Sequence, residues 1–168
     1  MSNSEPAIDL RPGTLADGDA IVRLNSESVL ATSPMDEAAF AELVELSCLL
    51  TVAERDGEVV GFLMGFADGK DLDGPNYQWF AQRLKSFLYI DRIVIDASCR
   101  GSGVGQRIYA QIDAWARKQS LLWLAAEMNL DPPNLASLRF HKRQGFKEIG
   151  TQRLSSDKLV SMQVKRLG

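Results

Sequence analysis

Hydrophobic residues along the chain follow two spacings, one typical of strands and the other typical of helices. Alternating or continuously apolar runs predict strands at residues 7–11, 48–54, 59–67, 87–96, 121–130, 146–153 and 159–165. Apolar residues at helical spacing predict helices at residues 14–31, 36–47, 104–118 and 134–144. The resulting order, β-α-α-β-β-β-α-β-α-β-β, predicts a mixed sheet of the α/β or α+β class.

Short motifs mark the ends of several predicted elements. Thr14 and Asp17 resemble a capping box that opens the first helix. Asp56-Gly57 predicts a two-residue hairpin between the second and third strands. Gly61 and Gly65, inside the third strand, indicate either a bulge or a close approach of another backbone.

The composition is that of an ordinary globular protein. Of the 168 residues, 45% are hydrophobic and 24% are charged, so we expect a single domain over residues 1–168. A net charge of −3 gives no basic surface for nucleic acid or an anionic membrane. Residues 1–6 do not resemble a signal peptide, and no apolar run reaches membrane-spanning length. The two cysteines suit a reducing compartment, so we expect a cytoplasmic protein, and no metal site is predicted.

Glycines recur between the strand at 87–96 and the helix at 104–118, in the sequence Arg-Gly-Ser-Gly-Val-Gly at residues 100–105. Glycine lets the backbone turn sharply and brings several N–H groups close to a ligand. The helix that follows carries about half a positive charge at its N-terminus, which suits phosphate oxygens. The pattern predicts an anion-binding loop, and a tight turn with nothing bound is the alternative.

Two other phosphate-binding motifs are weaker matches. A dinucleotide-binding unit would explain Glu127, which lies near the distance expected for a ribose-binding acid. That fingerprint needs Gly-x-Gly-x-x-Gly, however, and Gly105 comes one place too early. A P-loop is excluded because no Gly-Lys-Ser/Thr follows the glycines.

Two motifs in this order resemble the GCN5-related N-acetyltransferase (GNAT) family. Residues 100–105 resemble its Arg/Gln-x-x-Gly-x-Gly/Ala signature, which holds the pyrophosphate of acetyl-CoA, and residues 93–96 resemble the end of its fourth strand. The second motif is Asn134-x-x-Ser137-x-x-Phe140-His141-x-x-x-Gly145-Phe146. With the opening at residues 10–14, the resemblance covers nearly the whole chain. Residues 76–80 and 89–94 resemble one bacterial branch of the superfamily, whose substrate we do not assign.

The resemblance implies the GNAT fold, in which coenzyme A enters between splayed fourth and fifth strands, and acetyl-CoA or coenzyme A as the cofactor. Backbone groups of Ile93 and Ile95 would pair with the pantetheine arm, and the Ile95 N–H would polarise the thioester carbonyl. Asn134 would hydrogen-bond the same arm, or would only cap the fourth helix. The implied cofactor-binding residues are Ile93, Val94, Ile95, Arg100, Gly101, Ser102, Gly103, Val104, Gly105, Gln106, Asn134, Ser137, Phe140 and His141.

The implied catalytic residues include one departure from the family. His141, the only histidine, stands where family members commonly have the tyrosine that protonates the leaving thiolate. It would act as that acid, or would only fill space beside the cofactor. Tyr89 and Asp91 share a strand face with Ile95 and are candidate bases, with Glu127 a weaker one. Asp91 could equally form a surface ion pair with a neighbouring arginine.

The stretch at 68–85 predicts a loop with at most one helical turn, and it concentrates aromatic residues. These aromatics either pack on the sheet or form a lid over the active site. Under the second interpretation, the amine acceptor would bind between this lid and the segment at 25–36. The residues expected to contact the acceptor are Asn25, Tyr77, Trp79, Phe80 and Arg83.

The function that the resemblance implies is direct transfer of an acetyl group from acetyl-CoA to a primary amine. A small acceptor with a carboxylate, such as an amino acid, is preferred because Arg83 could clamp that group. One alternative is a non-catalytic module that binds or senses acyl-CoA, and a weaker one is a dinucleotide-binding domain. A homodimer is suggested only by the resemblance, because family members often form dimers.

Overall fold

The structure is a computed structural model that describes residues 7–28 and 32–168. The expectation about a signal peptide at residues 1–6, and the predicted end of the first helix near residue 31, lie outside the described residues. The chain divides into two compact units. One comprises the residues up to Met64 together with Arg92–Ile108, and the other comprises Gly65–Asp91 together with Tyr109–Gly168. The expectation of a single domain stays a prediction.

The described part of the chain contains strands and helices in the order predicted, with one additional helix. The strands are β1 (Ile8–Pro12), β2 (Leu49–Arg55), β3 (Glu58–Ala67), β4 (Phe87–Ile95), β5 (Trp123–Asp131), β6 (Lys147–Ser155) and β7 (Lys158–Arg166). The helices are α1 (Gly18–Ser26), α2 (Glu37–Leu46), α3 (Pro75–Ala81), α4 (Val104–Lys118) and α5 (Leu135–Arg143). The strands form a seven-stranded sheet in the order β1-β2-β3-β4-β5-β7-β6, which confirms the mixed α/β class.

The first unit begins with an antiparallel pair in which β1 runs beside β2, with Leu10 opposite Ala53. The capping box is present, because the Thr14 hydroxyl accepts from Ala16 N–H and the Asp17 carboxylate accepts from Thr14 N–H. It opens a short 3₁₀ turn, after which α1 begins at Gly18. Arg11 binds Asp17 at 2.7 Å and lowers the pKa of that carboxyl, so charge pairing fixes the entry to the helix.

Glycines in the hairpin and in β3 have the roles that the sequence indicates. Asp56 and Gly57 have φ angles of 52° and 79°, as a two-residue hairpin turn with left-handed residues requires. A Cβ at Gly61 would lie 3.0 Å from Ile95 Cδ1 and 3.2 Å from the Val94 carbonyl oxygen. The interpretation as a close approach between neighbouring strands is therefore the one that fits.

The second unit contains the parallel ladder of β4 and β5 and the antiparallel pairs of β7 with β5 and β6. The parallel ladder joins residues 87–89 to residues 123–125, and Tyr89 opposite Ala125 is its last pair. Asp91 and Glu127 lie two residues beyond that pair on their respective strands. The ladder thus ends early, which agrees with the expected splay of the two central strands.

Helix α3 is the element that the sequence did not predict as a helix. Pro75 occupies its first turn, where a missing N–H costs nothing. Tyr77 and Phe80 are three residues apart and both are buried, with 1% and 0% of their surface exposed. Trp79 lies over β6, where a Cβ at Gly150 would come within 2.7 Å of the indole.

Candidate functional site

The glycine loop of the first unit has the backbone that the sequence predicts for an anion-binding turn. Gly101 and Gly103 have φ angles of 79° and 86°, which favour glycine, and nothing lies within 4 Å of a Cβ built at either position. The Ser102 hydroxyl donates to the Cys99 carbonyl and braces the turn. The surface above the glycines is therefore open, as a cradle for a phosphate group requires.

Helix α4 begins at the end of this loop. Its first intrahelical bond runs from Arg107 N–H to the Gly103 carbonyl at 3.0 Å. The N–H groups of residues 104–106 precede that bond, so the helix itself supplies no acceptor for them. Val104 is buried and anchors the turn, whereas Arg100 and Gln106 are exposed beside it. Backbone N–H groups and one guanidinium are thus available on the same short segment.

The last residues of β4 alternate in burial within the first unit. Val94 is buried, whereas Ile93 and Ile95 are half-buried on the opposite face. The predicted cofactor contacts at Ile93 and Ile95 use backbone groups, so their side chains are free to pack without affecting that role.

A tyrosine and a glutamate meet in the second unit just beyond the end of the β4–β5 ladder. The Tyr89 hydroxyl donates to the Glu127 carboxylate, at 3.0 Å from Oε1 and 2.8 Å from Oε2. Their contact is diagonal, because Tyr89 pairs with Ala125 and Glu127 is the next residue on the same face of β5. Tyr89 is 3% exposed, and its ring packs against Tyr77 and Phe80.

Glu127 is the group whose pKa moves closest to neutrality. Desolvation, with a smaller contribution from the negative charge of Asp91, raises the pKa of Glu127 to about 7, against the lowering effect of hydrogen bonds from Tyr89 and Asn76. A carboxyl with such a pKa is half-ionised near neutral pH, so it can accept a proton there and release it again. Among the three candidate bases, Glu127 has the environment that this chemistry needs.

The second motif forms α5 and its caps in the second unit. The Asn134 side chain accepts from Ser137 N–H at 3.1 Å, so the capping role is present. Gly145 has a φ of 98°, and the bonds from Gly145 N–H to Lys142 O and from Phe146 N–H to His141 O close the helix. The proposed contact of Asn134 with the pantetheine arm stays a prediction.

His141 lies in a buried aromatic cluster and is 4% exposed. Its Nδ1–H donates to the Ser137 carbonyl at 2.8 Å, and its Nε2 accepts from the Tyr109 hydroxyl at 2.8 Å. The rings of Phe140 and Phe146 pack on it at 5.2 Å each. Burial lowers the pKa of His141 to about 4, so the ring is neutral near pH 7. This geometry favours the space-filling interpretation of His141, and the acid role stays a prediction.

The residues predicted to contact the acceptor have different surroundings in the second unit. Tyr77 and Phe80 belong to the core, and the Tyr77 hydroxyl donates to the Ala67 carbonyl at 2.7 Å. Trp79 is half-buried, and the exposed Arg83 guanidinium stacks over its ring at 3.9 Å. Of this set, Trp79 and Arg83 are the ones that present surface to solvent.

Asn25 belongs to the first unit and is fully buried. Its Nδ2 donates to the Ser33 carbonyl at 2.9 Å, while its Oδ1 accepts from Arg92 at 3.0 Å and from the Thr32 hydroxyl at 3.0 Å. These bonds fasten the connection that follows α1 to β4. The geometry favours a positioning role for Asn25 over direct contact with an acceptor.

The comparison with known families shows the family of the chain. The sequence model of the Acetyltransferase (GNAT) family matches residues 20–146. The chain belongs to this family. The GNAT resemblance expected from the two motifs is confirmed, and acetyl transfer is the general activity that the family shares. Among curated proteins, none matches the chain.

Solved structures agree on the GNAT fold. Ard1 from Thermoplasma volcanium aligns with a TM-score of 0.78 at 19% identity, covering 96% of this chain and 99% of that one. The ribosomal-protein-alanine N-acetyltransferase from Brucella melitensis aligns at 0.73 and 24% identity, covering 95% and 99%. The structure of yncA from Salmonella typhimurium with its cofactor acetyl-CoA aligns at 0.71 and 19% identity, covering 96% and 95%. At these identities the likeness shows the fold alone.

The structure of this GNAT acetyltransferase points to two residues that the sequence motifs do not single out. Glu127 ranked last among the candidate bases, although a lone acidic residue in the apolar run Leu-Ala-Ala-Glu-Met was a usable signal. Asn76 carries no functional signal in the sequence, yet its side chain lowers the pKa of Glu127.

No cluster of three or more His, Cys, Asp or Glu side chains suited to a metal ion occurs in residues 7–28 and 32–168. Within the same residues, no helix is long and apolar enough to span a membrane.

Proposed function

We propose that this GNAT acetyltransferase transfers the acetyl group of acetyl-CoA directly to a primary amine of a small, amino-acid-like molecule in the cytoplasm. The observation that carries the proposal is the contact of the Tyr89 hydroxyl with the half-buried Glu127 carboxylate, at 2.8 and 3.0 Å, in surroundings that raise the pKa of Glu127 to about 7 and so suit a general base. An amine must lose a proton before it can attack a thioester. A carboxylate that is half-ionised near neutral pH can take that proton.

The glycine loop fits the cofactor. Open space above Gly101 and Gly103 and the first N–H groups of α4 suit pyrophosphate oxygens, and Arg100 adds a positive charge. By family role, residues 93–95 and Asn134 would hold the pantetheine arm. Bound acetyl-CoA would supply an acetyl group already activated as a thioester.

The protein's own groups would then handle the amine. A carboxylate oxygen of Glu127 accepts one proton from the substrate ammonium group. The Tyr89 hydroxyl holds that carboxylate in place by donating a hydrogen bond to it. The Ile95 N–H would stabilise the negative charge that develops on the carbonyl oxygen. Arg83 offers its guanidinium, which is stacked on the Trp79 ring, for an acceptor that carries a carboxylate.

A pair of glycine variants tests the cofactor part of the proposal. Gly103→Asp and Gly57→Asp both place a side chain at a left-handed residue of the first unit, with φ angles of 86° and 79° and open space around each. The two variants therefore introduce similar backbone strain. We expect isothermal titration to show acetyl-CoA binding for wild type and Gly57→Asp and its loss for Gly103→Asp. Wild-type protein without affinity for acetyl-CoA would overturn the proposal.

An amine panel with thiol-release detection tests the catalytic part. The panel contains amino acids, their amides, amino sugars, polyamines and peptides with an N-terminal alanine, the last because a structural neighbour is named for a ribosomal-protein alanine. We expect turnover in wild type and a loss of about 10²–10⁴-fold in Glu127→Gln, the usual contribution of a general base. Tight acetyl-CoA binding with no turnover on any amine would favour the acyl-CoA-binding module instead.

A further inference from the structure

Gly61 is a buried residue of β3 that lies against the end of β4 in the first unit. A Cβ built on it would be 3.2 Å from the Val94 carbonyl oxygen and 3.0 Å from Ile95 Cδ1, whereas ordinary van der Waals contacts of a Cβ begin at 3.4 Å. The Ile95 methyl group is the far end of a side chain and can rotate away. The Val94 carbonyl belongs to the backbone, so a side chain at residue 61 would have to displace a peptide group.

The peptide group that Gly61 contacts joins Val94 to Ile95 and therefore carries the Ile95 N–H. The C=O and the N–H of a trans peptide point in opposite directions within one plane. Because the Val94 carbonyl oxygen lies against Gly61, the Ile95 N–H points away from β3. The role predicted for this N–H, a hydrogen bond to the thioester carbonyl, requires that it is directed away from the neighbouring strand.

The residue after Ile95 gives the same orientation independently. Asp96 N–H donates to the Val60 carbonyl of β3 at 2.8 Å. Successive N–H groups of an extended chain point to opposite sides, so the Ile95 N–H again points away from β3. The Asp96 carboxylate accepts from Ser98 N–H at 2.9 Å, which fixes the chain beyond the strand. The peptide after Ile95 is thus held by hydrogen bonds, and the tilt of the peptide before it depends on the space at Gly61.

We propose that Gly61 is a positioning residue for catalysis, because its missing side chain lets the Val94 carbonyl approach β3 and so aims the Ile95 N–H at the acetyl carbonyl of acetyl-CoA. This inference rests on the proposed function, in which that N–H stabilises the negative charge developing on the carbonyl oxygen. Gly61 acts only through the Val94–Ile95 peptide and is not itself a catalytic residue.

The expected effect follows from the directionality of hydrogen bonds. An N–H···O bond weakens steeply as its angle departs from linearity. Removal of one oxyanion-hole donor lowers kcat by about 10²–10³-fold, so a donor that is tilted but still present should cost about 10–100-fold. The loop at residues 100–105, which would hold the pyrophosphate, is separate from this peptide in the chain. Affinity for the cofactor should therefore change little.

Two alanine variants in β3 form a matched pair. Gly61→Ala places its Cβ against the Val94 carbonyl, which is backbone. Gly65→Ala is the control, because its Cβ would lie equally close, 3.0 Å, to Leu88 Cδ1, and its nearest neighbours are all Leu88 side-chain atoms. Both variants crowd the same strand, but only Gly61→Ala displaces the peptide that carries the Ile95 N–H. Urea unfolding of both shows whether each is folded under the assay conditions.

Kinetics with the best amine of the panel test the proposal through the separation of kcat from binding. We expect Gly61→Ala to lower kcat about 10–100-fold, while the acetyl-CoA Kd from isothermal titration and the amine KM stay within about twofold of wild type. Gly65→Ala should keep kcat within about twofold of wild type. An unchanged kcat in Gly61→Ala, or equal losses of kcat in the two variants, would overturn the inference.

A third substitution separates the backbone contact of Gly61 from its side-chain contact. Ile95→Val removes Cδ1, the atom 3.0 Å from the new Cβ, and keeps both the Ile95 N–H position in the chain and the Val94 carbonyl. Gly61→Ala combined with Ile95→Val should still have a low kcat, because the peptide remains displaced. Recovery to the kcat of Ile95→Val alone would assign the loss to the side chain and would contradict the proposed role.

NMR reports the direction of the Ile95 N–H without turnover. Its signal in protein labelled with nitrogen-15 isoleucine is assigned by its absence in Ile95→Val. Acetyl-CoA carries the thioester carbonyl and coenzyme A does not. In wild type and Gly65→Ala, we expect acetyl-CoA to shift the Ile95 amide proton downfield relative to coenzyme A, and Gly61→Ala should lose most of this difference.

The NMR result distinguishes failure of this inference from failure of the proposed function. An Ile95 signal at the same position with both ligands in wild type, while titration shows that both bind, would overturn the inference and leave the cofactor role intact. Protein that binds neither ligand would overturn the proposed function and this inference together. Failure of the amine panel, with the expected NMR difference present, would overturn the proposed activity alone.

Discussion

Replacing Tyr89 with phenylalanine tests how Glu127 obtains its pKa. The Tyr89 hydroxyl donates to both carboxylate oxygens, and this contact opposes the upward shift that desolvation and Asp91 cause. A hydrogen bond to a charged group contributes about 1.5–3 kcal/mol, and one pKa unit corresponds to about 1.36 kcal/mol. We therefore expect Tyr89→Phe to raise the pKa of Glu127 by about one to two units from its value of about 7.

The assay is the pH dependence of kcat/KM, because this profile reports the pKa of the base in the free enzyme. At pH 7 the ionised fraction of Glu127 should fall from about one half to about one tenth or less, so kcat/KM should fall about fivefold or more. At high pH the two enzymes should converge. Tyr77→Phe is the matched control, because that hydroxyl bonds to Ala67 O and Lys70 N–H on a ring 5.6 Å from Tyr89.

Two results would refute this reasoning. An unchanged pH midpoint with a uniformly lower rate in Tyr89→Phe would mean that the hydroxyl acts on the substrate itself. An equal shift of the midpoint in Tyr77→Phe would mean that loosening of the aromatic cluster, and not the lost hydrogen bond, changes the pKa of Glu127.

Three further variants or titrations test neighbouring features. Because burial lowers the pKa of His141 to about 4, proton NMR should show that this single imidazole stays neutral down to about pH 5, and a midpoint near 6.5 would contradict its burial. Gly150→Ala should lower the free energy of unfolding, measured in urea, by about 1–3 kcal/mol, because the new Cβ would lie 2.7 Å from Trp79. Gly74→Ala is the control and should leave the free energy of unfolding unchanged, because nothing lies within 4 Å of its Cβ. Arg83→Ala should raise the KM of carboxylate-bearing amines about tenfold, the loss of one charge-assisted bond. An equal rise for amines without a carboxylate would contradict the clamp.

Periodicity predicted the regular elements well because their hydrophobic faces are long. Helix α4, at Val104–Lys118, has the predicted bounds, and the strands differ from their predicted bounds by a few residues at most. Helix α3 was missed because its seven residues bury only two side chains on one face, too few to establish a period. The first helix ends at Ser26, earlier than predicted, and residues 27–28 form a turn.

The candidate site was predictable only where it depends on backbone conformation. Gly101 and Gly103 indicate a loop with left-handed residues from the sequence alone. The identity of the base cannot be predicted in this way, because the pKa of Glu127 depends on desolvation and on Tyr89, which is 38 residues away in the chain. His141 shows the reverse difficulty: its position in the motif suggested chemistry, but the aromatic rings around it determine its protonation state.

Desolvation of the half-buried Glu127 carboxyl and burial of the His141 imidazole, both in the second unit, have a consequence for acid tolerance. Glu127 binds its proton more tightly when folded, so between pH 4.5 and about 7 it makes the free energy of unfolding fall as pH rises. His141 does the opposite between about pH 4 and 6.5, because its folded form resists protonation. Each slope is about 1.36 kcal/mol per pH unit, so where the windows overlap the two nearly cancel. The wild-type enzyme would thus be buffered against mild acid, and Glu127→Gln would leave it acid-labile.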